Sequence, residues 1–245
     1  MVDHRGYPLS SAIEPVSVDL SLLRTTGLDE SSLAVDELDQ DERDRAAAFV
    51  RAEDRLTYVA AHVALRRVLG NLLRRPPADV RFHRLPCPCC GELHGRPAVP
   101  DAPFPLHFSL SHGGDLILIG TAGQPVGVDV EQYPGAEATP GLVAVLHPAE
   151  QAELASLKPE SESSVRAFTQ LWTRKEAYLK GLGTGLGRNL ALDYLGTAQP
   201  ALRPPDWHVA DLEVPAGHAA AFAVRAASGR GSVRQLPHSF VGSAG

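Results

Sequence analysis

The run Val126-Gly127-Val128-Asp129-Val130-Glu131 alternates valines with two acids. On a strand the period of two places Asp129 and Glu131 on one face, roughly 7 Å apart, with the valines turned to the other. An isolated D-x-E is more often a solvated outer face. Its sharper reading is a site for a hard divalent cation, which takes a few carboxylate oxygens and keeps other positions for water and substrate phosphate. Further along, Trp172, Glu176 and Lys180 recur at i, i+4 and i+8. In a helix they form one stripe with neighbours about 6 Å apart along the axis. A surface Glu–Lys pair beside a core Trp is the ordinary meaning of such a stripe. Yet only three of the 23 basic residues are lysines, Lys158, Lys175 and Lys180, and two of them fall in this segment. A compact ammonium is a phosphate-binding point charge that Arg does not replace one for one. The third piece is Ser109-Leu110-Ser111-His112-Gly113-Gly114, where a hydroxyl, an imidazole and exposed turn amides could hold phosphate oxygens or simply form a polar turn. A Ser-His-Asp hydrolase fits poorly, because Ser111 and His112 are adjacent and no G-x-S-x-G elbow occurs.

These groups need a scaffold. Apolar spacing predicts a long helix from Asp41 to Arg74, stopped by Pro76-Pro77, with Tyr58, His62, Leu65, Leu69 and Leu72 on one face. A short strand over Val80 to Arg84 and a Pro/Gly/Cys-rich loop over Leu85 to Pro105 follow. Leu106 to Ser111 alternates as a half-buried strand, Leu116 to Gly120 reads as a buried one, and Val126 to Glu131 completes an antiparallel meander. After a Pro/Gly-rich loop, helices are predicted over Pro148 to Leu157 and Val165 to Gly181. Strands are expected near Leu190 to Tyr194, Trp207 to Val214 and Ala219 to Arg225, and a frayed or loosely docked tail over Ser228 to Gly245.

The 245 residues carry a net charge of −6, are 21% charged, and contain no block of five like charges. That composition disfavours a nucleic-acid-coating protein and a disordered chain. Residues Met1 to Leu23 hold no apolar core of signal-peptide length, and nowhere do about 18 apolar residues run together. The expectation is a cytoplasmic protein without a membrane or nucleic-acid partner.

In this order, Ser111-His112, the strand Gly127 to Glu131 and the helix Trp172 to Lys180 resemble the S-H, G-[IV]-D-[IV]-E and W-x-x-K-E-A-x-x-K motifs of the Sfp-like 4′-phosphopantetheinyl transferases. Gly95-Arg96-Pro97 matches the family's weaker G-[KR]-P element, and together the motifs span roughly residues 41 to 190. The resemblance implies an α+β fold built as a pseudo-twofold pair of similar α/β subdomains, here 1–123 and 124–227 with a tail at 228–245, acting as a monomer. It implies transfer of the phosphopantetheine arm of coenzyme A to a serine of an apo acyl or peptidyl carrier protein in polyketide, peptide or fatty-acid systems, with release of adenosine 3′,5′-bisphosphate. Asp129, Glu131 and Glu176 would surround Mg²⁺, or Mn²⁺ in its place. Glu176 and Lys180 would be catalytic. Coenzyme A would meet Ser111, His112, Asp129, Lys175, Lys180 and Arg96, with Arg45, Arg51 and Arg55 as candidates for its 3′-phosphate. The chain departs from many relatives in having Thr184 in the glycine-rich segment after the helix, and His62 where others have Arg. Rival readings are another Mg²⁺-dependent phosphoryl or nucleotidyl transferase, and a non-catalytic binding module.

All three cysteines lie in Cys87-Pro88-Cys89-Cys90, followed by His94. The C-x-x-C pair and the histidine could build a small zinc knuckle. No fourth ligand is evident unless His83 reaches, and free thiols in a loop are the favoured reading.

Overall fold

The computed structural model describes residues 14–134, 140–159 and 161–243. Strand β1 (Val16–Arg24) is followed by helices α1 (Gln40–Ala47) and α2 (Ala52–Leu73), then by a short hairpin of β2 (His83–Arg84) and β3 (Pro97–Ala98). Next come β4 (His107–Gly113), β5 (Leu116–Ala122) and β6 (Val126–Gln132), and the helices α3 (Pro140–Val143), α4 (Pro148–Ala155) and α5 (Glu162–Leu182). The chain closes with β7 (His208–Asp211), β8 (His218–Val224) and β9 (Gly229–Leu236). This is a mixed α+β fold. Among the described residues no helix is long and apolar enough to cross a membrane.

Two sheets carry the architecture, one ordered β4-β5-β1-β9 and one ordered β6-β8-β7. Their strands sort side chains by the period of two. In β5, Ile117 and Ile119 join Val63, Leu69 and Phe108 under α2, whereas Leu116 and Leu118 turn the other way to meet Val128, Val130 and Phe222 between the sheets. On the far side, Ala221 and Ala223 of β8 pack with Phe168, Leu171 and Ala177 of α5. The order of layers is therefore helix, sheet, sheet, helix.

Several expectations are corrected. The helix predicted over Asp41 to Arg74 is two helices, because Arg66 of α2 reaches back to both acids of the α1 capping box. Asp39 accepts the Glu42 N–H and Glu42 accepts the Asp39 N–H, while the Arg66 guanidinium lies 2.6 Å from each carboxylate. Leu72, assigned to the apolar face, is exposed. The strand expected over Val80 to Arg84 shrinks to β2, and its loop contains the partner strand β3. Leu190 to Tyr194 is not a strand; a 3-10 turn at Leu190–Leu192 positions carbonyls that Lys175 and its surroundings use. The expected Pro/Gly-rich loop after Glu131 contains the short helix α3, and its residues 135–139 lie outside the described residues.

The supposed tail is an ordered strand. β9 runs parallel to β1 from Val16↔Gly229 to Leu23↔Leu236, so β1, within a segment to which no element was assigned, lies in the middle of its sheet. Beyond β9, the carbonyls of Phe240 and Gly242 each accept from Arg67 at 2.9 Å.

The meander is also corrected. β6 leaves the sheet of β4 and β5 and becomes the edge of the second one, pairing with β8. Ser109 and Ser111, expected on a solvated face of β4, are buried and link the sheets: their hydroxyls accept the backbone N–H groups of Val128 at 3.1 Å and Val130 at 3.4 Å. A hydroxyl here replaces the carbonyl that a ladder partner would have offered to those amides.

Candidate active site

The close approach of β4, β6 and α5 brings the first two sequence motifs and the end of the third together. At the end of β4, Gly113 lies so near β6 that a Cβ would sit 2.3 Å from the Val130 carbonyl oxygen. Only a residue without a side chain lets the Ser111-His112 turn pass there. Helix α5 is started by Ser161, which accepts the Ser164 N–H, and ended by Gly183 in left-handed backbone at φ 83°.

Asp129 is 2% exposed. Its Oδ1 accepts from Lys180 Nζ at 2.6 Å and from Ser111 Oγ at 2.8 Å, and Lys180 Nζ also donates to Ser111 Oγ at 2.8 Å. The three side chains close a triangle. Asp129 Oδ2 is buried without a hydrogen-bond partner, an orphaned acceptor that ordinarily costs stability. Burial, the Asp129 charge and Glu176 together push the Glu131 carboxyl up to about 7, against the pull of Lys180. Burial and Asp129 likewise raise Glu176. Three carboxylates thus crowd one ammonium, and the arrangement is short of positive charge. A divalent cation fits that deficit and the free Asp129 oxygen. The carboxylates do not themselves draw into one tight ligand set, a condition that Cys87, Cys90 and His94 meet among the described residues.

His112 stands beside this centre, its pKa lowered by burial and by Lys180. His62 is lowered chiefly by burial; its Nδ1 is 2.8 Å from the Tyr58 carbonyl, and its ring stacks on Tyr58. A cleft of about 680 Å³ opens from Lys180 across Ser109, His62 and the β2–β3 hairpin, with Arg84 and Arg96 among its walls. Arg96 crosses to the end of α5, donating to the Gly181 carbonyl at 3.1 Å and lying against Gly183. Nearby, the Thr184 hydroxyl is buried without a partner.

Two of the residues assigned from sequence have other partners in this structure. Lys175 does not face the cleft: it is 2% exposed, and its ammonium lies 2.8 Å from Glu150, 2.8 Å from the Leu190 carbonyl and 2.7 Å from the Asp193 carbonyl. Its three protons are spent on structure. Arg55 is bound bidentately to Glu30 at 2.6 and 3.0 Å, so its fork is already filled. Arg45 and Arg51 are exposed near the α1–α2 junction and do not line the cleft. Arg84, His83 and His94 do line it and were not assigned to it from sequence. Nothing in their spacing marks them, since the short hairpin that carries them has little periodicity.

A carboxylate cluster with one ammonium, beside a cleft walled by Arg84 and Arg96, is equipment suited to handling phosphoryl groups. Residues 125–223 match the 4′-phosphopantetheinyl transferase superfamily. A 4′-phosphopantetheinyl transferase of Bacillus subtilis is 29% identical over 190 residues, covering 74% of this chain and 78% of that protein. The transferase ffp, also from Bacillus subtilis, is 30% identical over 169 residues, covering 64% and 69%. The transferase HetI of Nostoc is 29% identical over 223 residues, covering 86% and 90%. The chain belongs to the 4′-phosphopantetheinyl transferase family and is an enzyme of that type.

Proposed function

We propose that this enzyme transfers the 4′-phosphopantetheine arm of coenzyme A to a serine of an apo acyl or peptidyl carrier protein, in a polyketide, peptide or fatty-acid system, and releases adenosine 3′,5′-bisphosphate. The observation that carries this reading is the Asp129–Lys180–Ser111 triangle with Glu131 and Glu176 crowded beside it. Asp129, Glu131 and Glu176 would hold Mg²⁺, or Mn²⁺, whose contribution is to neutralise the pyrophosphate. Lys180 keeps one ammonium proton for a phosphate oxygen and meets the charge that develops there. Ser111 and His112 contact the coenzyme's phosphates, and the cleft walls at Arg84 and Arg96 receive the adenosine end. Arg45 and Arg51, exposed outside the cleft walls at the α1–α2 junction, remain candidates only for a 3′-phosphate that projects from the cleft.

In the reaction the carrier serine oxygen bonds to the phosphorus next to the pantetheine, and the bond from that phosphorus to the bridging oxygen breaks. The electron pair leaves with adenosine 3′,5′-bisphosphate. Glu176, made more basic by burial and by Asp129, accepts the serine proton.

In this reading the protein is a cytoplasmic monomer with pseudo-twofold subdomains over 1–123 and 124–227. The helix-sheet-sheet-helix order of layers supports that division, and the triangle needs no residue from another chain. The test is intact-mass spectrometry of apo carrier proteins incubated with the enzyme, coenzyme A and Mg²⁺. A gain of one phosphopantetheine, lost with EDTA and with Glu176→Ala, is expected; no gain on acyl or peptidyl carriers would overturn it.

A further inference from the structure

The loop joining β2 to β3 is folded around its sulfurs. The Cys87 N–H donates to the Glu92 carbonyl at 2.7 Å, and the Gly91 N–H returns to the Cys87 carbonyl at 2.8 Å. Gly91 holds left-handed backbone at φ 81°, which lets the chain reverse directly after Cys90. His94 completes the group: its Nε2 is 3.0 Å from Cys90 Sγ, and one ligand atom from each of Cys87, Cys90 and His94 lies within 4.8 Å of the others.

We propose that Cys87, Cys90 and His94 bind a zinc ion, with water in the fourth position. Two thiolates and an imidazole are the donor set that selects zinc over magnesium or calcium, and binding releases the two thiol protons to solvent. Cys89 is exposed and is not a member of this group. His83, the further ligand considered from sequence, has its Nδ1 at 3.1 Å from the Ala98 carbonyl.

The ion has a mechanical role in the cleft. Leu85 N–H donates to the Arg96 carbonyl at 3.0 Å, and Gly95 N–H to the Leu85 carbonyl at 2.9 Å, so the strap that carries Arg84 and Arg96 is closed at its base by backbone bonds. Zinc fastens the other end. The binding itself does not depend on the reaction proposed above.

Cobalt(II) added to the metal-free, reduced full-length protein tests this, because sulfur ligation gives a thiolate-to-cobalt charge-transfer band that carboxylates cannot produce. One cobalt per chain with that band, displaced by zinc, is expected. Cys90→Ser and His94→Ala, both at exposed positions and checked for folding by circular dichroism, should weaken cobalt binding about tenfold or more. Cys89→Ser should leave the band in place. Absence of the band in the wild-type protein, or a band that survives Cys90→Ser but vanishes in Cys89→Ser, would overturn the assignment.

Discussion

Gly127 of β6 and Ala177 of α5 touch backbone to backbone: a methyl group on Gly127 would stand 1.9 Å from the Ala177 carbonyl oxygen. Ala177 follows Glu176 directly and precedes Lys180 by three residues, while Gly127 precedes Asp129 and Glu131 by two and four. The contact is what brings the helix's two reactive groups down onto the strand's two acids.

Gly127→Ala should therefore be damaging out of proportion to one methyl. The obstacle is main chain, with the Gly181 nitrogen a further 2.4 Å neighbour, so no rotamer change relieves it. Overpacking of this kind costs about 1–3 kcal/mol or more. Thermal melts should show a lowered midpoint, and whatever folds should bind coenzyme A weakly because helix and strand have been pushed apart.

The two lysines of α5 should separate cleanly. Lys180→Ala removes the only side-chain cation bonded to Asp129 among the described residues and should lower kcat by about 10²-fold or more. Lys175→Ala leaves Glu150 fully buried without its ion partner, which costs about 3–5 kcal/mol. Its signature is a lower denaturation midpoint with no rise in KM for coenzyme A, read on the fraction that remains folded.

The titration of Glu131 gives a stability slope of known sign. Its folded pKa is about 7 against an ordinary value of 4.5, so between those two pH values the native state holds a proton that the unfolded chain has lost. That contribution is present in full below about pH 4.5 and disappears as pH rises through 7. Glu131→Gln should flatten this part of the metal-free stability profile. The half-buried His62, His107 and His208, lowered by loss of solvation and therefore destabilising toward acid, act alike in both proteins and cancel in the difference. Equal slopes for the two proteins would contradict the crowding of these carboxylates.

Arg66 is fully buried and bonds Asp39, Glu42 and the carbonyls of Pro77 and Val80. Arg66→Ala should cost about 3–5 kcal/mol in denaturant unfolding, since it strands a buried acid. Arg66→Lys should recover only part of that, because an ammonium cannot reproduce the planar fork.

What could be read from the residues depended on how local the cause was. Helix α5 carries its own cap, stop and apolar stripe, and its observed limits lie within a few residues of the expected ones. β6 shows its alternation openly, and the Asp129–Lys180 pairing follows from motifs that were visible. That Lys175 turns away from the cleft could have been read from the spacing: five residues at 100° each put it about 140° around the helix from Lys180, whereas Glu176 is only about 40° away. Ser109 and Ser111 looked like a solvated face because nothing local reveals that the amides of another strand will need hydroxyl partners. β9 escaped because it is mostly exposed, so the buried-exposed alternation that marks a strand is missing from it.

The pairing of β1 with β9 also sets an order in time. Ser21 and Arg234, bonded at 3.4 Å, are separated by 213 residues, so β1 cannot pair with β9 until that intervening chain has left the ribosome. Until then β1 can zip to β5 on one side while its other edge stays open, with buried-type residues such as Leu20, Leu22 and Leu23 close behind it. A nascent chain that stalls or is clipped before Gly229 would carry an unguarded template for strand addition. The time this protein spends at risk of sticking to other chains is thus governed by how quickly the segment that carries β9 is made.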